Sequence, residues 1–166
     1  MQIGRRSFVF WTLGFSLWVR DAFAGPIAGQ RQKAYPLTAL APYLDTLIPR
    51  DETGSATDFG VDRVLIDRAR GDRGYMRVLR GGCKWLDLEA RKTGAAGFGD
   101  LDPISQEAIV DRAARAREGS LPRFFFNVTR EYGYRAYYAE PASWQGLGFH
   151  RPPQPEGYLD HAEAPR

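Results

Sequence analysis

Apolar residues recur at intervals of three and four along five stretches of the chain, and polar segments containing glycine and proline separate these stretches. Such spacing places each apolar set on one face of a helix. No stretch alternates convincingly between apolar and polar residues, so the pattern predicts an all-α fold, a small bundle of about five helices. The apolar sets are Leu37, Leu40, Ala41, Leu44, Leu47 and Ile48; Val61, Val64, Leu65 and Ala69; Met76, Leu79, Cys83, Leu86 and Ala90; Ile109, Ala113 and Ala116; and Leu121, Phe124, Phe125, Val128, Tyr132 and Ala136.

Individual residues predict where these helices begin and end. Pro49 ends the first helix and Gly71 ends the second. Asp102 is a good N-cap for the fourth helix, because Pro103 follows at the first helical position. The fourth helix is expected to run to Gly119.

The third and fifth helices carry more than an apolar stripe. Gly81 and Gly82 lie in the middle of the third helix, where each costs roughly 1 kcal/mol relative to alanine. A kink or a close helix crossing is therefore expected there. In the fifth helix Phe126, Tyr134 and Tyr137 lie off the stripe. A helix that is aromatic on several sides is buried on more than one side, which indicates a partner.

The chain changes character after Pro141. Prolines 152, 153 and 155 exclude a continuing helix, so the pattern predicts an extended segment. Its apolar residues are Trp144, Leu147, Phe149 and Tyr158. Such a segment is too apolar for a solvated tail and is expected to pack along a surface, which is either that of its own helices or that of a partner.

The first residues of the chain have the three parts of a secretory signal. Arg5 and Arg6 precede an uncharged run from residue 8 to 19, which is shorter than the roughly 20 residues that span a membrane. Ala22 and Ala24 then form the A-x-A pattern of a cleavage site. With Phe8 after the arginine pair, the segment resembles a twin-arginine signal. A buried N-terminal helix and an uncleaved anchor are the alternatives.

Composition narrows the function classes. The 166 residues carry a formal net charge of +3, and lysines and arginines are scattered among aspartates and glutamates. This distribution does not match the basic patch of a nucleic-acid-binding protein, so no nucleic-acid partner is expected.

The chain holds few residues for chemistry of its own. Cys83 lies on the apolar stripe of the third helix, where it either is a small core residue or forms an intersubunit disulfide. His150 and His161 are separated by a proline-rich segment and do not have a recognised metal-ligand spacing. No catalytic, cofactor-binding or metal-binding residue is therefore assigned. Twin-arginine export carries folded proteins that usually hold a cofactor, so a chain without one suggests a cofactor-bearing passenger.

Two stretches then resemble one family, the gluconate 2-dehydrogenase subunit 3 family. The first is residues 45–52 (DTLIPRDE) followed by residues 60–62 (GVD). The second is residues 137–141 (YYAEP) with the aromatic and proline residues after them, up to residues 153–158 (PQPEGY). The signal segment also resembles that of the family. The turn at residues 53–56 departs from the usual Pro-Gly-Ala.

The resemblance implies a non-catalytic small subunit of a periplasmic dehydrogenase complex for sugars, sugar acids or polyols, associated with the cytoplasmic membrane through that complex. FAD would belong to a partner of the glucose-methanol-choline oxidoreductase type, and haem c to a multihaem cytochrome. The small subunit would bring the signal read by the twin-arginine translocase. Its partner-binding residues would be Trp144, Phe149, Pro153, Pro155 and Tyr158.

The predicted organisation is a cleaved signal at residues 1–24, a linker at 25–36, a helical domain at 37–140 and an extended partner-binding tail at 141–166. The competing hypothesis is a stand-alone periplasmic helical enzyme or ligand-binding protein that uses Cys83 or the histidines. That hypothesis predicts activity or ligand binding by the single chain.

Overall fold

Five α-helices form the described part of the protein, which in this computed structural model is residues 34–149. Two short 3-10 helices accompany them, and these residues include no β-strand, so the prediction of a small all-α bundle is confirmed. The signal residues, the linker up to residue 33, both histidines and residues Pro153, Pro155 and Tyr158 lie outside the described part. The elements are α1 Leu40–Leu47, α2 Val61–Gly71, α3 Arg73–Arg91, α4 Pro103–Ala114 and α5 Leu121–Ala139, with 3-10 helices at Phe98–Asp100 and Pro141–Leu147.

The two longest helices, α3 and α5, cross at a glycine. A Cβ added to Gly82 would lie 2.1 Å from Cδ2 of Phe125, and one added to Gly81 would lie 3.0 Å from a methyl group of Leu121. Only a residue without a side chain allows Phe125 to approach the α3 backbone so closely. The expected close crossing is therefore found, and α3 continues through both glycines as one helix of 19 residues.

The ends of the helices follow local capping chemistry. Asp102 accepts a hydrogen bond from the backbone N–H of Ser105, as predicted for the start of α4. Asp72 caps α3 in the same way, accepting from the N–H groups of Gly74 and Tyr75, and this cap was not predicted. The predicted end of α4 was wrong, because the helix stops at Ala114, before Gly119.

The buried face of α5 differs from the predicted stripe. Leu121 and Phe124 were expected in the core, but 44% and 55% of their surfaces are exposed. Phe126 and Tyr137, which were expected to lie off the stripe, are buried instead. The register is set by Phe125, which must lie over Gly82, and α5 packs against α2, α3 and α4 together.

The core contains one buried polar link between the first and last α-helices. The Tyr43 ring lies 4.8 Å from the Phe125 ring. The Thr129 hydroxyl donates to the carbonyl of Phe125 at 2.6 Å, so it accepts from the Tyr43 hydroxyl at 2.8 Å. Burial raises the pKa of Tyr43 well above its usual range, and the hydroxyl stays neutral. A threonine on the buried face is tolerated because both its hydrogen-bonding functions are used.

The segment after α5 begins as a 3-10 helix, Pro141–Leu147, so the prediction of an extended conformation from residue 141 is wrong for these residues. The indole Nε1 of Trp144 donates to the carbonyl of Tyr138 at 2.8 Å. The Ser143 hydroxyl donates to the carbonyl of Glu140. Gly148 then ends the helix with a φ of +74°, a left-handed conformation that favours glycine. These bonds fold the segment back against α5.

Candidate partner-binding surface

The loop between α1 and α2 is held by carboxylates that bind its own backbone. Asp45, on α1, accepts hydrogen bonds from the N–H and the hydroxyl of Thr57 at 2.9 and 2.7 Å. Asp58 accepts from the N–H of Ser55 at 2.6 Å and from its hydroxyl at 3.0 Å. Aspartate and serine favour such local bonds over regular secondary structure. We refer to residues 49–60 as the clamped loop.

Two further contacts stabilise the charged residues of the clamped loop. The guanidinium of Arg50 pairs with Asp58 at 2.6 Å. Asp51 accepts from the N–H of Thr53 at 2.8 Å. Hydrogen bonds from Ser55, and then the charge of Arg50, hold the pKa of Asp58 below its usual range. Hydrogen bonds from Thr53 lower the pKa of Asp51. Both carboxylates are thus favoured in the ionised form that the loop conformation uses.

Tyr137 connects the clamped loop to α5. Its hydroxyl donates to the carbonyl of Gly54 at 2.8 Å and lies 2.7 Å from the hydroxyl oxygen of Thr53. Its ring centroid is 5.2 Å from that of Phe59. Tyr137 is 4% exposed. It therefore lies between α5 and the clamped loop and fixes the position of the loop relative to the helix.

The segment after α5 completes this arrangement from the other side. A Cβ on Gly146 would lie 2.9 Å from the Thr53 methyl group, so the 3-10 helix packs closely against the clamped loop. The described parts of the two stretches that carry the family resemblance therefore form one continuous surface. More than 70 residues separate them in sequence, and only the fold brings them together.

Exposed apolar side chains border this contact. Tyr134, Tyr138 and Leu147 are 40%, 45% and 54% exposed. They line a hollow of about 210 Å³ whose floor includes Thr53 and Tyr137. We refer to Tyr134, Tyr138 and Leu147 as the tyrosine patch. Tyrosine is enriched at protein interfaces because it combines a large apolar surface with a polar end.

The clamped loop also borders a larger cleft of about 720 Å³. Asp45 and Asp58 face it, yet their carboxylates are occupied by the bonds to Thr57 and Ser55 described above. On the opposite wall Gln106 donates to the carbonyl of Phe98 at 3.2 Å. These polar groups are therefore engaged in hydrogen bonds that hold the loop and the helices in place.

The two predicted partner-binding residues in the described part, Trp144 and Phe149, have different roles in the structure. Trp144 is half-buried and anchors the 3-10 helix to Tyr138, so it supports the surface. Phe149 is 49% exposed and available for contact. Sequence reasoning singled out Tyr134 as an aromatic in excess of one buried face. It missed Tyr138 because nothing local shows that the clamped loop lies beside it.

Cys83 lies in the core of the helical bundle with none of its surface exposed. Burial raises the pKa of the thiol to about 12, and the thiolate needed for disulfide exchange is disfavoured. This position favours the interpretation of Cys83 as a small core residue and argues against an intersubunit disulfide, since the sulfur has no access to a second chain.

Within residues 34–149 no group of three or more His, Cys, Asp or Glu side chains is placed to hold a metal ion. None of the helices between residues 34 and 149 is long and apolar enough to cross a membrane.

Comparison with known proteins gives one match. Residues 34–150 match the family model described as gluconate 2-dehydrogenase subunit 3. The matched range contains the clamped loop and the tyrosine patch. No curated protein and no solved structure matches the chain.

Proposed function

The chain belongs to the gluconate 2-dehydrogenase subunit 3 family, and on this basis we propose that it is the non-catalytic small subunit of a periplasmic, FAD-dependent dehydrogenase complex. Family membership is consistent with a small subunit of an oxidoreductase. The finer proposal is that the complex oxidises a sugar, a sugar acid or a polyol. In this arrangement the flavoprotein partner holds FAD and substrate, and a multihaem cytochrome c accepts the electrons.

The observation that carries the proposal is the surface formed by the clamped loop and the tyrosine patch. Three large side chains remain 40–54% exposed around one hollow, on a scaffold fixed by buried hydrogen bonds such as that of Tyr137. A rigid base with exposed tyrosines loses little conformational entropy on binding, which favours a protein partner. We assign the flavoprotein to this surface, with Phe149 at its edge.

The second part of the proposal is that this chain directs the complex across the cytoplasmic membrane. Arg5, Arg6 and Phe8 resemble a twin-arginine signal, and the translocase that reads it exports folded proteins. A flavoprotein that loads FAD in the cytoplasm requires export of this kind. Binding to the tyrosine patch before export would carry it along.

Co-purification tests the assignment of the tyrosine patch. The chain is tagged, co-expressed with its flavoprotein and compared with the Tyr134→Ser/Tyr138→Ser double variant. Both side chains are exposed, so the variant should unfold at nearly the wild-type temperature. We expect it to lose most of the flavin absorbance recovered with the wild-type chain, because interface tyrosines are frequent binding hot spots.

The matched control is Ile104→Ser on α4, which removes an 80% exposed apolar side chain away from the patch. It should retain the flavoprotein. Equal recovery with the double variant and the control would contradict the assigned surface. Stoichiometric flavin or dehydrogenase activity in the purified single chain would contradict the non-catalytic role and support the stand-alone enzyme.

A further inference from the structure

The exposed face of α3 carries a row of cations. Arg73, Arg77, Arg80 and Lys84 follow one another at i, i+4, i+7 and i+11, which places them on one side of the helix over about 16 Å. We call these four residues the α3 basic face. Leu88 continues the same line one turn further and is 44% exposed. Helix formation therefore places on one face four cations that are separated by other residues in the sequence.

The α3 basic face has no neutralising partners within residues 34–149. None of its four side chains is among the ion pairs found there. Asp87, three residues after Lys84, adjoins this line of α3 but is buried. Seven other basic side chains of this part of the chain do form ion pairs, whereas the four cations of the α3 basic face lie next to one another on one side of a helix without such a pair.

Nearby carboxylates are directed elsewhere. Asp72, before α3, accepts from the N–H groups that begin the helix. Asp87 is buried and accepts from the hydroxyl of Tyr35 and the N–H of Phe98. Glu89 is also buried and pairs with Lys92 and Arg112. Glu118 pairs with Arg123 at 3.1 Å.

Exposed apolar side chains adjoin the cations. A methyl group of Leu121 lies 3.0 Å from the Cβ position of Gly81, the residue after Arg80. Leu121 is 44% exposed, and Phe124, one turn further along α5, is 55% exposed. A bilayer interface presents phosphates above acyl chains, so a cationic row beside exposed apolar groups matches its chemistry.

We propose that the α3 basic face, with Leu88, Leu121 and Phe124 beside it, is a peripheral docking surface for anionic phospholipid. The cations bind lipid phosphates, and the apolar side chains enter the headgroup boundary. An acidic protein would satisfy the charges but would not require exposed apolar side chains such as Leu88 and Leu121 beside them. This proposal concerns a surface separate from the tyrosine patch and does not rest on the assignment of that patch.

Vesicle co-sedimentation of the full chain tests the proposal. The vesicles contain phosphatidylglycerol and phosphatidylcholine in equal parts, or phosphatidylcholine alone. We expect binding to the anionic vesicles only, with a decrease at high salt as surface charges are screened. The Arg77→Gln/Lys84→Gln variant should bind about 30-fold more weakly, since two near-surface cations are lost.

The matched control is Arg63→Gln/Arg135→Gln, which removes the same charge from α2 and from the far end of α5. It should bind nearly as tightly as the wild-type chain, and all variants keep the same N-terminal segment. Phe124→Ser should weaken the binding that remains at moderate salt.

Three results would overturn the proposal. The first is equal loss of binding in the α3 variant and the control, which would show a net-charge effect. The second is displacement by inorganic phosphate at low concentration, which would show a site for a free anion. The third is a wild-type chain that does not bind the vesicles, together with an α3 variant that no longer co-purifies with the flavoprotein. This result would show that the face binds an acidic protein. If the Tyr134→Ser/Tyr138→Ser variant retained the flavoprotein, the tyrosine patch would be contradicted, but the interpretation of these three results would not change.

Discussion

Single side chains decide the conformation of the clamped loop. Asp58 illustrates this, because one carboxylate accepts from the N–H and hydroxyl of Ser55 and also pairs with Arg50. Without these bonds, residues 49–60 would have few apolar contacts to order them. The sequence shows that this stretch is a loop rich in turn-forming residues. It cannot show which carboxylate binds which N–H, since that depends on the final path of the backbone.

Replacing Asp58 with asparagine should reduce the acid sensitivity of the protein. The folded-state pKa of Asp58 lies below the value of about 3.9 for an unfolded aspartate. Its stabilising effect is therefore complete above the unfolded pKa and disappears as the pH falls through the folded pKa. Thermal unfolding measured from about pH 5 to about pH 3 should show a shallower decrease in Asp58→Asn than in the wild-type protein. An unchanged slope would show that this carboxylate is not held in its ionised form.

At the scale of elements, the contact between α3 and α5 determines the position of the last long helix. Three successive phenylalanines at 124–126 leave the helical phase undetermined in the sequence, and the phase chosen from the pattern placed Leu121 and Phe124 inside. Gly82 determines the helical phase of α5, because only one of the three rings can pack against its bare backbone and that ring is Phe125. The start of α4 was predicted correctly, since Asp102 and Pro103 are neighbours in sequence, whereas the Asp72 cap of α3 was missed.

A methyl group at the crossing should therefore destabilise the fold. Gly82→Ala would place its Cβ 2.1 Å from a Phe125 ring carbon, and the resulting overpacking should cost roughly 1–3 kcal/mol. Chemical denaturation measures this loss. Gly71→Ala is the control, because nothing lies within 4 Å of its Cβ position, and it should change stability by less than about 0.5 kcal/mol. A neutral Gly82→Ala would show that α5 can shift along α3.

At the scale of the whole molecule, α5 joins two surfaces of different chemistry. Its first residue, Leu121, lies beside the α3 basic face, and Tyr134 and Tyr138 in its last turns form the tyrosine patch. Along the helix axis Leu121 is about 20 to 26 Å from these two tyrosines. This separation would allow lipid and flavoprotein to bind the same subunit together. Sequence alone indicated a partner through its surplus of aromatics, but could not place the two surfaces.

Export of the complex gives a prediction at this scale. Arg5→Lys/Arg6→Lys should leave the flavoprotein active but retained in the cytoplasm, because the twin-arginine translocase reads the arginine pair. Cell fractionation with a dye-linked dehydrogenase assay measures the distribution. Arg20→Lys, which changes an arginine after the apolar run, should leave export intact. Periplasmic activity in the double variant would remove the export role from this chain.

The hydrogen bond from Tyr137 to Gly54 also has a consequence for the order of folding. The two residues are 83 positions apart, so the contact closes most of the described chain into one loop. The entropy cost of closing that loop is offset only when α5 docks, which happens late in folding. Until that helix has been synthesised and has packed over Gly82, the segment after α1 lacks its support. The surface is therefore completed last. A protein that binds there distinguishes a finished subunit from a nascent or truncated one.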